Sequence, residues 1–403
     1  MTLRDELLPR PFTSAFFADP YRTYTHLRGE APVHRVALPN GSPIWLVLRE
    51  VDVRAGLYDP RLSVNKAHSA GGYAGFSLPP ALDANLLNID DEDHLRLRRL
   101  VSKAFTPRRI VRLRAKVQAT ADRLADGLAD TGTGDLVQDF AMPLPISVIG
   151  ELFAVPQAER LPFANWVNNM LDPQEPSHVS QAVSEIHAFL VNLVSARRER
   201  PADDLLSGLI AARDDEDRLS EDELVSLAFL ILMAGSENVQ HLISSGLFTL
   251  LQHHDQLVSL RADLSLLPEA VEELLRFAHP NQMAIRRFAT EDIEIGDTLI
   301  SQGDTVMLCL AAANRDPARY PAPDTFDVRR EDKTHLTLGH GLHYCLGAPL
   351  ARMEIEIALS TLLRRFPSIR LGITPDQARW RSSFRSHALK ALPITTGPGL
   401  CRH

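Results

Sequence analysis

The chain is short of cysteine, lysine, positive charge and long apolar runs, and each shortage excludes something. Three cysteines, Cys309, Cys345 and Cys401, cannot staple 403 residues into a disulfide framework. Free thiols suit a reducing compartment, which predicts a cytoplasmic protein. The first residues, MTLRDELLPRPFTS, lack a basic segment followed by an apolar one, so no secretory signal is expected. The longest apolar stretch, 224–234, is broken by Ser226 and falls short of the roughly 18 residues of a membrane span. Lys+Arg number 43 against 51 Asp+Glu, a net charge of -8, so no global field draws the chain to nucleic acid or anionic membrane. Only five of those 43 basic residues are lysine, a bias that points to a GC-rich bacterial source. No repeat and no linker-like tract divides the sequence, which predicts one domain over 1–403.

What is present is ordinary globular composition, 45% hydrophobic and 23% charged, which excludes a disordered or collagenous chain. The β-branched and aromatic segment 44–47, flanked by Gly41, Ser42 and Pro43, predicts a strand. The Gly- and Pro-rich segment 62–88 predicts a loop. Residues 92–253 are mostly helical in pattern, with helices expected over 110–129, 179–198 and 202–212. Ser220 and Glu223 form a capping box, with Leu219 and Leu224 as a hydrophobic staple, and start a helix over 221–251. That helix is apolar on every side in its first half, which predicts burial through the centre of the molecule. A helix follows Pro268 to Phe277, short strands occupy 285–310, 311–345 is irregular, and a last helix runs over 350–365. The fold class is therefore mainly α with a small β portion (α+β), its β-rich parts near 30–60, 285–310 and 369–400.

The densest chemistry lies in Leu338-Gly339-His340-Gly341-Leu342-His343-Tyr344-Cys345-Leu346-Gly347. Three glycines around one cysteine describe a tight loop whose backbone approaches something closely. The loop feeds a helix whose first amides point toward the sulfur and favour a thiolate. Three readings compete: a structural cysteine, a zinc site from His340, His343 and Cys345, and a haem thiolate. The histidine spacing is too short for ordinary zinc patterns and no fourth ligand is near, whereas haem iron suits a buried thiolate.

This segment resembles the haem-thiolate loop of the cytochrome P450 family. The resemblance extends over about 15–395 and implies that fold, with haem b between a central helix and the Cys-loop helix. It makes Cys345 the axial metal ligand and places Gly339 and Gly347 against the cofactor. The family's Glu-x-x-Arg is matched by Glu273-Leu274-Leu275-Arg276, a structural pair bracing the meander 320–329 and not taking part in the reaction. His94 and Arg98 in DEDHLRLRRLVSKAF, Arg287 before the small strands, and His343 match contacts to the haem propionates. Arginine is the best charge-assisted donor for such carboxylates. Ala234 and Gly235 resemble the oxygen-binding groove, where small residues let a flat ligand approach the helix. Glu237 matches the catalytic acid that relays protons toward bound dioxygen. Asn238 stands where threonine is usual, and an amide cannot replace a hydroxyl in every relay role. Leu338 replaces the usual phenylalanine against the sulfur, and Asp91-Glu92 replace a usual Pro-Pro.

The resemblance places pocket walls at Phe76, Leu87, Asn169, Leu230, Met283, Ile285 and Phe384. Neighbouring Asn168, Trp166 and Met170 add a lining suited to a medium-sized, mostly apolar substrate bearing hydroxyl or amide groups. The implied reaction is O2-dependent hydroxylation or epoxidation in secondary metabolism, with electrons from a ferredoxin and ferredoxin reductase. Arg96, Arg99, Lys103, Arg108, Arg109 and Arg352 offer either a ferredoxin docking face or a solvated helix surface. A monomer acting on a small molecule, without nucleic acid or membrane, is expected. Two alternatives stay open: oxidative C–C or C–O coupling or peroxide-driven chemistry on the same fold, and a non-catalytic haem protein.

Overall fold

A helix of 32 residues, Glu221–Gln252, organises the molecule. It starts where local chemistry dictates. Ser220 Oγ accepts from the Glu223 amide at 3.1 Å while Glu223 returns a carboxylate oxygen to the Ser220 amide at 2.7 Å. The two bonds satisfy donors that a helix start leaves open. The structure is a computed structural model and describes residues 8–70, 78–102, 105–173, 175–214 and 219–397. Phe76, Lys103 and Cys401 lie outside them.

The central helix joins two apolar cores. Its first half, Leu224 to Leu232, packs into a cluster with Phe153, Phe163, Ile186 and Leu206. Its second half, from Val239, packs with Val117, Phe140, Leu274 and Leu359. The turn from Ala234 to Asn238 contributes to neither cluster. The central helix packs against helices Pro143–Leu152, Gln157–Leu171, Pro176–Glu199 and Ala348–Arg365.

The β portion is a five-stranded sheet in the order Val33–Ala37, Pro43–Val47, Thr305–Leu308, Arg287–Ala289, Leu62–Ser63. Only the pair Pro43–Val47 with Thr305–Leu308 is parallel. Two smaller sheets unite Thr133–Asp135, Pro393–Thr395 and Arg370–Leu371, and Ile293–Ile295 with Thr298–Ile300.

The segment 62–88 is more ordered than its composition predicts. It contains the strand Leu62–Ser63, a 3-10 turn Lys66–His68 and a helix Pro80–Asp83. The strand exists because Leu62 and Ser63 pair with Ala289 and Phe288, a partnership distant in sequence. Residues 71–77 of this segment are outside the described residues. The other helices lie close to expectation, as Pro107–Thr131, Leu205–Asp214 and Leu267–Phe277.

In the irregular region after residue 310, Asn314 ties three pieces together. Its amide nitrogen bonds Thr337 Oγ1 at 2.8 Å and lies 3.2 Å from His279 Nε2, while its oxygen accepts from the Leu336 amide at 2.8 Å. Burial, reinforced by nearby His335 and Arg315, pushes His279 down to about 3. The folded ring therefore binds fewer protons than an unfolded one. Its contribution is intact above about 6.5, the ordinary value, and is lost as pH falls from there toward 3. The urea midpoint should drop across this window, and His279→Gln, which keeps an acceptor for Asn314, should reduce the drop.

Candidate functional site

The Cys loop is shaped by backbone that only glycine adopts readily. Gly339 and Gly341 have φ of 77° and 71°, in the left-handed region. A side-chain carbon at Gly341 would come within 2.9 Å of the Tyr58 ring. The Cys345 amide closes the loop on the Leu338 carbonyl at 2.8 Å. The sulfur then sits just ahead of helix Ala348–Arg365, and the amides of Gly347 and Ala348 bond toward it. A side chain at Gly347 would reach 4.0 Å from that sulfur.

Burial pushes the Cys345 thiol up, while those amides, Arg98 and Arg352 pull it down; burial wins. The helix start alone therefore does not produce the thiolate expected from the sequence. A further positive charge has to meet the sulfur. Zinc does not fit as that charge. His343 turns to Asp90, with Nε2 3.1 Å from Oδ1, His340 lies against the Tyr58 ring, and no cluster of three metal-ligating side chains exists among the described residues.

Four cationic or imidazole side chains from three distant segments converge beside the loop. Arg98 donates to the Tyr344 carbonyl at 2.6 Å. The rings of His94 and His343 stand 4.3 Å apart. Arg287 is buried, with one bond of 3.3 Å to the Leu62 carbonyl and its Nε unpartnered; His94 Nδ1 is also buried without a partner. Burial, with His343 and Arg98 nearby, holds His94 at about 4, and burial lowers Arg287 as well. A buried edge with unpartnered donors and one carboxylate, Asp90, suits a ligand with two anionic groups. A haem, with its two propionates and its iron for the sulfur, fits these residues.

The facing wall is the central helix. Ala234 is exposed in mid-helix although Ile231, Leu232 and Ser236 around it are buried. A side chain at Gly235 would meet Ile149 at 2.8 Å, so the glycine permits close packing on helix Pro143–Leu152, and Ala234 is the exposed member of the pair. Asn238 Oδ1 is buried without a partner.

Glu237 belongs to a charged chain that sequence reasoning missed. Its Oε1 lies 3.0 Å from Arg381 Nη1 and 3.2 Å from His241 Nε2. Arg381 also donates to Asn168 Oδ1 at 2.7 Å and reaches Asp172 at 3.8 Å, which Lys390 approaches at 3.4 Å. Burial opposes the Glu237 charge, but His241 and Arg381 hold its pKa at about 2. Burial also lowers His241, so at neutral pH Arg381 carries the countercharge. His241 was findable, since i and i+4 share a helix face. Arg381 has no local signal.

Glu273 and Arg276 form a fully buried pair with two contacts of 2.8 Å. Arg276 donates further to the carbonyls of Asn314, Pro323 and Thr325, and Glu273 accepts from the Asp327 amide and Arg330. The pair holds the meander leading into the Cys loop.

The predicted pocket residues scatter. Leu87 and Leu230 belong to the core cluster of the central helix's first half. Met283 is buried with Phe16 and Tyr24, and Phe384 packs on that cluster against Phe12. Ile285 is half-buried and Asn169 is exposed; its neighbour Asn168 is engaged by Arg381. The predicted basic face is partly neutralised, because Arg96 pairs with Asp93 and Glu223 and Arg352 pairs with Glu272.

Residues 256–388 match the family model for cytochrome P450. The chain is 42% identical to the cytochrome P450 monooxygenase PikC of Streptomyces venezuelae over 94% of its length and 91% of that protein. It is also 42% identical to 6-deoxyerythronolide B hydroxylase of Saccharopolyspora erythraea, over 95% and 97%. The tirandamycin C-bound P450 monooxygenase TamI superposes with a TM-score of 0.91 at 41% identity, covering 96% of this chain and all of that one. The chain belongs to the cytochrome P450 family. It is a monooxygenase of the bacterial type, using haem iron, O2 and an external electron source on a small-molecule substrate. Among the described residues no single helix is long and apolar enough to cross a membrane.

Arg276→Ala removes the bidentate partner of the buried Glu273 and leaves Arg330, at 3.2 Å, as its one cationic contact among the described residues. It should cost about 3–5 kcal/mol, read as a lowered denaturation midpoint and a low yield of haem-loaded protein.

Proposed function

We propose that Cys345 is the axial ligand of haem b, that His94, Arg98, Arg287 and His343 hold the propionates, and that the enzyme hydroxylates or epoxidises a medium-sized, mostly apolar secondary metabolite. The observation that carries this reading is the half-buried sulfur beside an edge on which Arg287 Nε and His94 Nδ1 are buried without a partner. Haem iron bound there supplies dioxygen activation, with electrons from a ferredoxin and its reductase. Names of relatives such as 6-deoxyerythronolide B hydroxylase support the substrate class. The protein acts as a cytoplasmic monomer.

The chain's residues divide the remaining work. The loop amides and Arg98 stabilise the sulfur anion. Ala234 leaves room beside the helix for oxygen. Glu237 holds its charge against Arg381, so it takes up a proton only when that pair loosens, and then passes it inward from its carboxylate. Asn238 can donate through its amide nitrogen but has no hydroxyl to hand on a proton. A substrate hydroxyl or a water completes the path.

Asn238 also favours a second reading, oxidative coupling without oxygen insertion. Turnover under oxygen-18 gas separates the two: label retained in the product supports insertion, and an unlabelled coupled product supports the alternative. Cys345→Ala should abolish the red-shifted ferrous–carbonyl absorption band of a thiolate-ligated haem. A band that survives the substitution would overturn the ligand assignment.

A further inference from the structure

Asp90 is a partly buried carboxylate set among the arginine and histidine side chains of the haem edge. Its Oδ2 accepts from Ser63 Oγ at 2.6 Å and from the Val64 amide at 2.8 Å. Its Oδ1 lies 3.1 Å from His343 Nε2. Its backbone carbonyl accepts from the His94 amide at 3.1 Å. One residue thus touches the sheet edge, the Cys loop and both histidines of the edge.

Two consequences follow from that placement. An ionised carboxylate only accepts, so the proton between Asp90 and His343 sits on Nε2. The tautomer and the plane of the ring are then fixed by an oxygen whose neighbour is itself doubly anchored. The second consequence is electrostatic. Burial opposes the Asp90 charge, yet the bonds from His343, Ser63 and Val64 prevail and hold its pKa at about 2. Arg287 feels it directly. The other carboxylates of this corner, Asp91, Glu92 and Asp93, are exposed and therefore screened by solvent.

We propose that Asp90 is a positioning residue for the cofactor: it locks His343 toward the propionate edge and supplies a fixed negative charge that keeps the iron's reduction potential low. This rests on the haem reading of the site. Asp90→Asn keeps the shape and the acceptor oxygen for the anchors but removes the charge.

The holoenzyme is the object tested. Two quantities are read: the rate of haem transfer to excess apomyoglobin, and the ferric–ferrous midpoint potential from spectroelectrochemical titration. Asp90→Asn should lose haem about tenfold faster, the scale of one weakened charge-assisted hydrogen bond. Its potential should move in the positive direction, because losing an anion favours the reduced iron. Asp90→Glu should restore part of that shift, which a purely structural role would not produce. Ser63→Ala releases one anchor and keeps the charge, so it should quicken haem loss and leave the potential nearly in place. Should Asp90→Asn fail to fold, the Ser63→Ala transfer rate decides, and an unchanged rate overturns the proposal. If wild-type protein lacks the thiolate-type carbonyl band, the haem reading falls. If the band is present and Asp90→Asn alters neither quantity, this inference alone falls.

Discussion

Holding a sulfur anion in a largely desolvated loop is the constraint on which the rest of the structure depends. Burial alone drives Cys345 toward the neutral thiol, and the amides of Gly347 and Ala348 recover only part of the difference. The anion persists only against a cation, which is why a metal and not a surface is the natural partner. Everything that steers the loop serves that meeting. Left-handed glycines set its path, the Leu338 carbonyl closes it, and the Glu273–Arg276 pair fixes the meander that enters it.

The central helix answers a different constraint. Two apolar cores meet along it, and their junction is the one turn that carries Ala234, Glu237 and Asn238. A polar group at such a seam can be kept only if something compensates it. Arg381 does so for Glu237 while also gripping the end of helix Gln157–Leu171 through Asn168. The charge of the buried acid is therefore mechanically connected to a helix end and to the C-terminal hairpin at Trp380 and Leu389. A shift of either element changes how firmly that acid is held.

Much of this was legible in the sequence, for reasons that are local. Ser220 and Glu223 announce the central helix because a capping box is completed within four residues. The Cys loop and Glu273-x-x-Arg276 are equally compact signals. What escaped was tertiary. Asp90 reads as one of several acids before a helix, and only the fold brings Ser63 and His343 to it. Arg381 lies in a tail without pattern, 144 residues from Glu237. The packing of Gly235 on Ile149 escaped as well, because a glycine beside an alanine does not say which face of the helix each occupies. The short strand Leu62–Ser63 depends on Phe288 and Ala289, which composition cannot reveal.

Asp91 carries a lesson for stabilisation by family consensus. The resemblance to the family puts a usual proline where this chain has Asp91, so a redesign guided by it would install one. Yet Asp91 adopts φ of 55°, and the pyrrolidine ring confines φ to about −65°. Consensus and backbone point in opposite directions at this corner. The substitution that the local geometry would reward is glycine, which takes up a positive φ without a side-chain clash.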